Sequence, residues 1–331
     1  MTVFLATLSP LLTLFLCIAI GFSLKKTGLL PDNAGKVIAK LETWVFVPAL
    51  NIMTMLRFCT VDTLTTHATN IILAGISVTL ALGIAIFLSR FFVREKCAER
   101  GVYSYALAFA NSGYLGDPIV LALFGEEILS YYKLFCLPIT LLIYTWGISV
   151  LTPAKEGGSP FKRLLNAPTL CLLAGISLGL LGVGKYLPDF LVSTLDNLKA
   201  CMGPCAMLLA GITIARYSFF GMLKKKKVYL ATLLRLFVLP TILTAALYGV
   251  KTLANLSFGL SIGNDVLFLC FFSTAAPLGL NTVVFPEAYG GEPETGASMA
   301  MVSHTLCVLS IPLLYALMVA IFGTPFTFRY V

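Results

Sequence analysis

Ten long apolar stretches leave this chain few choices of fold. Each is about 20 residues long, which is the length that a helix needs to cross the hydrocarbon core of a membrane. They lie near residues 3–24, 33–56, 69–92, 101–124, 133–151, 164–184, 189–215, 228–250, 264–286 and 298–322. Membrane β-barrel strands alternate apolar and polar residues, and runs such as 71–88 do not. We therefore predict an all-α polytopic membrane protein with ten transmembrane helices.

The composition excludes most soluble classes of protein. Only 11% of the 331 residues are charged and 58% are hydrophobic, whereas soluble domains carry about 25% charge. A soluble enzyme, a disordered chain and a secreted disulfide scaffold are therefore excluded. The nine cysteines are scattered without a CxxC pair, which favours free thiols over a zinc or redox site. No hydrolase, nucleotide-binding or metalloprotease motif stands in a suitable context. We expect neither an enzyme nor a metal centre.

The positions of lysine and arginine predict the orientation in the membrane. Basic residues concentrate in the connections after odd-numbered stretches, for example at 94–100 and 224–227, and are sparse after even-numbered ones. Cytoplasmic connections carry the excess of such residues, so we predict that both termini are non-cytoplasmic. The net charge of +8 is then explained by orientation and not by nucleic acid. The expected location is the cell membrane (plasma or inner), with multiple passes through the bilayer.

A polar break near the middle predicts two halves. Residues 1–151 form a first five-helix repeat, 152–163 a cytoplasmic linker, and 164–331 a second five-helix repeat. Halves with an odd number of spans have opposite orientations in the membrane, as in inverted-repeat transporters. Pro48 and Pro204 occupy equivalent places in the second and seventh stretches.

Two stretches contain helix-breaking residues. The fourth carries Gly113, Gly116 and Pro118, and the ninth carries Pro277. Proline removes a backbone donor and glycine weakens a helix, so the freed backbone groups must line a cavity or find partners. Half-helix N-termini exposed there suit an anion. The alternative is a pair of simple packing kinks.

Few ionisable side chains lie inside the stretches. Inserting an acidic side chain such as Asp117 at mid-membrane costs roughly 2.5–3.5 kcal/mol, and such residues often mark an ion or proton path. The alternative is a structural role for Asp117 at the water-filled end of a half-helix. Glu42 and His304 lie nearer the ends of their stretches. For these two we expect side chains that reach the membrane interface.

An ordered set of motifs resembles the auxin efflux carrier family. It consists of Pro48-Ala49-Leu50, Asn111-x4-Gly116-x-Pro118 with Phe124-Gly125, Pro277-x-Gly279-Leu280 with Phe285 and Tyr289, and the closing stretch from Ala297-Ser298 to Ser310-Ile311-Pro312. The short central loop is similar to that of bacterial-type permeases related to plant PIN-type carriers. The resemblance implies two inverted five-helix repeats, as in bile-acid symporters and sodium/proton antiporters. It also implies broken helices that cross at Pro118 and Pro277, and a homodimer.

The resemblance also implies a substrate site at the crossing. Asn111 matches an asparagine at the start of the crossing, Tyr144 matches a substrate-contacting tyrosine, and the backbone at Gly279-Leu280 would face the substrate carboxylate. The amides of Asn51 and Asn281 can hold a polar group or can bond a neighbouring helix. The expected substrate contacts are Asn51, Asn111, Ser112, Tyr144, Gly279, Leu280 and Asn281. Asp117 stands where the family commonly has an apolar residue.

These observations predict a secondary transporter for small organic anions, mono- or dicarboxylates such as malate or malonate, that works by alternating access. Besides the substrate, only a coupling proton or sodium ion at Asp117 is expected, so Asp117→Asn should abolish the pH or sodium dependence of uptake. The alternative is a cation/proton antiporter on the same fold without an organic substrate. A sensor that has lost transport is a third class.

Overall fold

The computed structural model describes residues 2–152, 165–217, 221, 224–323 and 326. Over these residues the chain is helical, and its only β-structure there is an isolated bridge between Ala110 and Leu278. The predicted linker at 152–163 lies, apart from Thr152, outside the described residues.

The described helices follow the ten predicted stretches. In the first half they are α1 (Thr2–Lys26), α2 (Ala34–Phe58), α3 (Val61–Thr66), α4 (Ala68–Phe92), α5 (Ala98–Ala108), α6 (Asp117–Phe124), α7 (Glu126–Phe135) and α8 (Leu137–Leu151). In the second half they are α9 (Ala167–Leu180), α10 (Asp189–Arg216), α11 (Lys226–Phe258), α12 (Asp265–Ala275), α13 (Asn281–Tyr289) and α14 (Pro293–Phe322).

Five of the described helices are long and apolar enough to cross a membrane, namely α2, α4, α10, α11 and α14, and a sixth span results if α7 and α8, bent by 47°, count as one. The fourth and ninth stretches are each divided into two shorter helices, α5 with α6 and α12 with α13. The chain is therefore an all-helical polytopic membrane protein. Ten complete crossings and the inverted relation of the halves stay predictions.

Local sequence explains where several helices begin and end. Asn166 caps α9 by accepting a hydrogen bond from the Thr169 amide at 2.9 Å, and Glu292 caps α14 through the Thr295 amide at 3.0 Å. Such side-chain acceptors satisfy amides that have no partner within the helix. At the other end, α6 stops at Gly125, whose φ of 86° is a conformation that side chains with a Cβ rarely adopt.

Four π-turns, each one residue wider than an α-turn, interrupt the helices in the described part of the chain. They span Glu42–Phe46 in α2, Ser112–Gly116 before α6, Ile143–Gly147 in α8 and Leu234–Val238 in α11. Three of them run directly into an X-Pro pair, at Pro48, Pro118 and Pro240. Proline cannot donate to the preceding turn and crowds it, so a widened turn relieves the clash.

The tightest helix contacts form two groups. In one group, α1 packs on α10 and α2 packs on α9 and α10. The backbones approach closely there, because a Cβ at Gly21 would collide with the Leu208 carbonyl and a Cβ at Gly211 with the Ile18 carbonyl. In the other group, α4 packs on α5, α11 on α12 and α13 on α14. The candidate site lies where α2 of the first group faces the broken helices of the second.

Candidate functional site

The two broken spans cross, and their extended segments pair with each other. The Asn111 amide donates to the Pro277 carbonyl at 2.7 Å, and the Gly279 amide donates to the Phe109 carbonyl at 3.4 Å. This pairing produces the antiparallel bridge between Ala110 and Leu278. The backbone groups that lose their helical partners at one break therefore form hydrogen bonds with those at the other break. The low polarity of a membrane interior requires such pairing.

The break in the fourth span lies earlier than expected. The helix stops at Ala108 and resumes at Ser112, so Gly113 and Gly116 lie in the following π-turn. Pro118 occupies the first turn of α6, where a missing backbone donor costs little. The expected place of Pro118 at the crossing is therefore wrong, whereas Pro277 does lie there. Gly116 is required for another reason, because a Cβ at this position would collide with the Tyr132 hydroxyl.

A small cavity of about 60 Å³ lies at the crossing. Of the residues expected to contact substrate, those that line it are Asn51, Asn111, Ser112, Tyr144, Gly279 and Asn281. Leu280 is not among the lining residues and is completely buried. Gly113 and Asp117 also line the cavity. The structure thus brings together residues from four separate segments of the sequence.

Both half-helices that follow the crossing begin at this cavity. Ser112 opens the π-turn that leads into α6, and Asn281 opens α13. The first amides of a helix have no partner within it, and the helix dipole is positive at this end. Two such ends at one cavity favour a negatively charged ligand.

The asparagine amides of the cavity are oriented by neighbouring residues. His304 Nδ1 must donate to the Ala300 carbonyl at 2.8 Å, so the neutral imidazole accepts at Nε2 from Asn111 Nδ2, 3.1 Å away. Asn281 Nδ2 donates to the Tyr105 hydroxyl at 2.9 Å. Among the described residues, Oδ1 of each of these two asparagines has no hydrogen-bond partner. Each oxygen is therefore a buried acceptor without a donor in this part of the chain.

The third asparagine is bound to a neighbouring helix. Asn51 Nδ2 donates to the Pro168 carbonyl of α9 at 2.9 Å. Tyr144 is held close by, because its carbonyl accepts a hydrogen bond from Thr169 Oγ1 at 2.5 Å. The start of α9 thus positions one amide and one aromatic side chain of the cavity.

A basic vestibule of about 640 Å³ adjoins the cavity and shares Tyr114, Asp117 and Lys133 with it. Its lining also includes Arg57 and Lys199. Asp117 forms an ion pair with Lys133, and Arg57 pairs with Asp196 at 2.5 Å. The three cations exceed the two acids, so the vestibule has a net positive charge that attracts anions.

At the other end of the molecule, ion pairs connect separate helical segments. Arg216 on α10 binds Glu287 on α13 at 2.6 Å, and the Thr213 hydroxyl donates to the same carboxylate at 3.4 Å. Lys225 binds Glu294 at 2.6 Å. The Arg216–Glu287 pair joins the two groups of helices described above, so separation at this end must break it.

The expectations for Glu42 and His304 are wrong, because neither reaches an interface. Glu42 is completely buried in its π-turn, and His304 is buried against Asn111. Helix α11 adds an arginine that the sequence analysis missed. Arg235 is completely buried and donates to the Thr274 carbonyl at 2.6 Å, and at 3.4–3.5 Å to those of Ala276 and Leu107. An ionisable residue inside an apolar stretch is itself the signal that could have found it.

The arrangement offers hydrogen bonds and charge for binding. In the described part of the chain, no three His, Cys, Asp or Glu side chains are grouped as a metal ion would require. Chemically, the positive helix ends and the excess of cations suit a small polar anion.

Comparison with known proteins identifies relatives over nearly the whole length. A family model described as membrane transport protein matches residues 6–162 and 158–315. An uncharacterized transporter of Methanocaldococcus jannaschii is 22% identical over 327 residues, which is 91% of this chain and 96% of the relative. An uncharacterized transporter of Methanothermobacter thermautotrophicus is 24% identical over 317 residues, which is 94% of this chain and 98% of the relative. Because the family model covers both halves around the crossed helices, this chain belongs to the membrane transport protein family, which is the family of the auxin efflux carriers.

Proposed function

We propose that this membrane transport protein is a secondary transporter of small organic anions, mono- or dicarboxylates such as malate or malonate. The observation that carries the proposal is the meeting of two half-helix N-termini with Asn111 and Asn281 at one cavity. Positive helix ends favour a carboxylate, and the adjoining vestibule has an excess of cations. The small cavity suits a substrate of few atoms.

The charge distribution disfavours the alternative of a cation/proton antiporter. In such a protein Asp117 would have to bind the exchanged cation. Here Lys133 already neutralises this carboxylate, and Lys199 lies in the same vestibule. A cation would therefore have to displace an ammonium group and enter a positive region, which is unfavourable. The role of Asp117 in coupling stays a prediction.

The proposed mechanism is alternating access past the crossing. The vestibule leaves the site open toward Arg57 and Lys199, while Arg216 and Glu287 close the opposite end. The distribution of lysine and arginine assigns Arg57 and Lys199 to the non-cytoplasmic face. On this proposal the structure is the outward-facing state of a cell-membrane carrier, and transport requires the Arg216–Glu287 pair to open.

Counterflow in proteoliposomes tests the proposal. Purified protein is reconstituted with one unlabelled acid inside, and uptake of labelled mono- and dicarboxylates is followed. We expect uptake of at least one acid and its loss in Asn111→Ala, with Asn33→Ala as the control because Asn33 is exposed and makes no capping hydrogen bond. Proton movement on addition of sodium, without uptake of any acid, would instead support the antiporter.

Malate and succinate form a matched pair of substrates, because they differ by one hydroxyl group. The unpartnered Oδ1 atoms of Asn111 and Asn281 each cost about 1–3 kcal/mol while no donor reaches them. A hydroxyl that donates to one of them should therefore increase affinity about tenfold or more. Equal affinities for malate and succinate would show that these oxygens do not contact the substrate.

A further inference from the structure

Glu42 is the acidic side chain that the proposed mechanism leaves without a role. Its residue is completely buried, and neither carboxyl oxygen has a hydrogen-bond partner among the described residues. It makes no ion pair within this part of the chain, whereas Asp117 and Glu287 both do. A carboxyl group so placed in a membrane protein needs a physical explanation.

Among the described residues, the titratable groups within electrostatic range of Glu42 are two tyrosines and a cysteine. Its carboxyl lies within electrostatic range of Tyr114 in the π-turn before α6, of Tyr144 on α8 and of Cys205 on α10. Tyrosine and cysteine are ordinarily uncharged at neutral pH. The other helices that pack against its π-turn are α9 and α13. Their titratable residues are Cys171, Tyr289 and Glu287, the last of which is bound to Arg216.

These surroundings favour the protonated carboxyl. An ionised carboxylate without a counter-ion or a hydrogen bond costs several kcal/mol in a protein interior. A hard metal cation in its place would need several oxygen ligands, and no hydrogen-bonding oxygen contacts Glu42 in the described structure. A proton needs only the carboxyl itself.

Glu42 lies between the cavity and the closed end. Gly35, at the start of α2, lies beside the guanidinium group of Arg216, and Glu42 follows about 10 Å further along the helix axis at 1.5 Å per residue. Asn51, which lines the cavity, is about 13 Å beyond Glu42 by the same rise. Opening of the Arg216–Glu287 end would therefore bring water toward Glu42 before it reaches the cavity.

We propose that Glu42 is the proton-binding site of the transport cycle, and that the Arg216–Glu287 end closes only over its protonated carboxyl. When that end opens, the O–H bond of Glu42 breaks, its proton passes to the entering water, and the carboxylate is left solvated. The carboxylate takes a proton from water on the same side before the end closes again. The inference rests on the proposed function, because it assigns the pH dependence of that transport to one residue.

Two measurements test the inference, one of which does not depend on the substrate. The first is the pH dependence of counterflow for wild type, Glu42→Gln, Asp117→Asn and the control Glu127→Gln, whose carboxylate is at the surface. The second is labelling of Thr213→Cys by an impermeant maleimide, with the native cysteines replaced. Thr213 is completely buried behind the Arg216–Glu287 pair, so labelling reports the opening of that end.

Maleimide reacts with the thiolate, so each labelling rate is divided by the rate for the same cysteine in the unfolded protein at the same pH. We expect this normalised labelling at Thr213→Cys to rise with pH, up to about tenfold per pH unit where one protonation controls closure. In Glu42→Gln, labelling should stay low at every pH and counterflow should lose its pH dependence, while Glu127→Gln should behave as the wild type. If Glu42→Gln fails to fold, Glu42→Leu, which is also neutral, should give the same pH-independent closure.

A pH response that is unchanged in Glu42→Gln, absent from the wild type, or lost only in Asp117→Asn would overturn the inference. Absence of counterflow for every acid would refute the organic-anion proposal instead. Labelling of Thr213→Cys would still decide whether Glu42 controls closure, so the two failures are distinguishable.

Discussion

Replacement of Arg235 by methionine should destabilise the crossing without touching the cavity. Arg235 connects the ends of α5 and α12 through the carbonyls of Leu107, Thr274 and Ala276. The contact at 2.6 Å to Thr274 is a charge-assisted hydrogen bond of about 1.5–3 kcal/mol. A cation beside the C-terminal ends of two helices adds about 0.3–1 kcal/mol for each.

Arg235→Met also removes the desolvation cost of the buried guanidinium group, which offsets part of the stability lost with these interactions. We therefore expect Arg235→Met to lose about 2–3 kcal/mol in the free energy of unfolding, a 30- to 150-fold change in the equilibrium constant at about 1.4 kcal/mol per tenfold. Arg235→Lys should lose less free energy of unfolding than Arg235→Met. Its ammonium group keeps the positive charge, although it cannot reach both helix ends.

The assay is reversible unfolding of the purified protein by sodium dodecyl sulfate in mixed micelles, followed by circular dichroism. Arg90→Met is the control, since Arg90 is exposed at the end of α4, and it should stay within about 0.5 kcal/mol of the wild type. An Arg235→Met protein as stable as the wild type would refute the reasoning. So would an Arg235→Lys protein less stable than Arg235→Met.

Three further predictions concern the vestibule, the closed end and helix packing. Lys199→Gln should lower kcat/KM for the anion severalfold at low ionic strength. The effect should be smaller at high salt, because salt screens the charges of the vestibule. An effect of the same size at every salt concentration would contradict electrostatic attraction of the anion. Arg216→Glu and Glu287→Arg should each increase maleimide labelling of Thr213→Cys several-fold, because losing an ion pair worth about 1 kcal/mol changes the open population about fivefold. The double variant, which restores the ion pair with the charges exchanged, should reverse the increase. Gly211→Ala should lower the unfolding midpoint because its Cβ would collide with the backbone of α1, whereas Gly75→Ala, with open space around it, should not.

The sequence predicted which residues meet at the crossing better than it predicted how they are arranged. Six of the seven expected contacts line one cavity, because helix-breaking residues and polar side chains in apolar spans are visible without a structure. The partners of these residues are not visible. Asn111 is oriented by His304, which is 193 positions away, and only tertiary packing brings such a pair together.

The error at Pro118 has a physical cause. Proline is tolerated in the first turn of a helix, so its presence does not locate a break. The break lies at Phe109–Ala110–Asn111 because those backbone groups pair with the segment around Pro277. Arg235 and Glu42 are a different case. Both were visible as ionisable residues in apolar stretches, but their complete burial depends on neighbouring helices that the sequence does not specify.

The π-turns give this protein places inside its helices where the chain length can change by one residue. Deleting one residue after Glu42 from the turn Glu42–Phe46 would convert it to an ordinary α-turn and leave the helix beyond it in nearly the same orientation, because the wider turn only accommodates the extra residue. Deleting one residue from the regular helix that begins at Val47, before Asn51, would instead rotate Asn51 by about 100° relative to Glu42. Homologues that share this mechanism should therefore tolerate a one-residue deletion within the π-turn and keep residues 47–51 free of insertions and deletions.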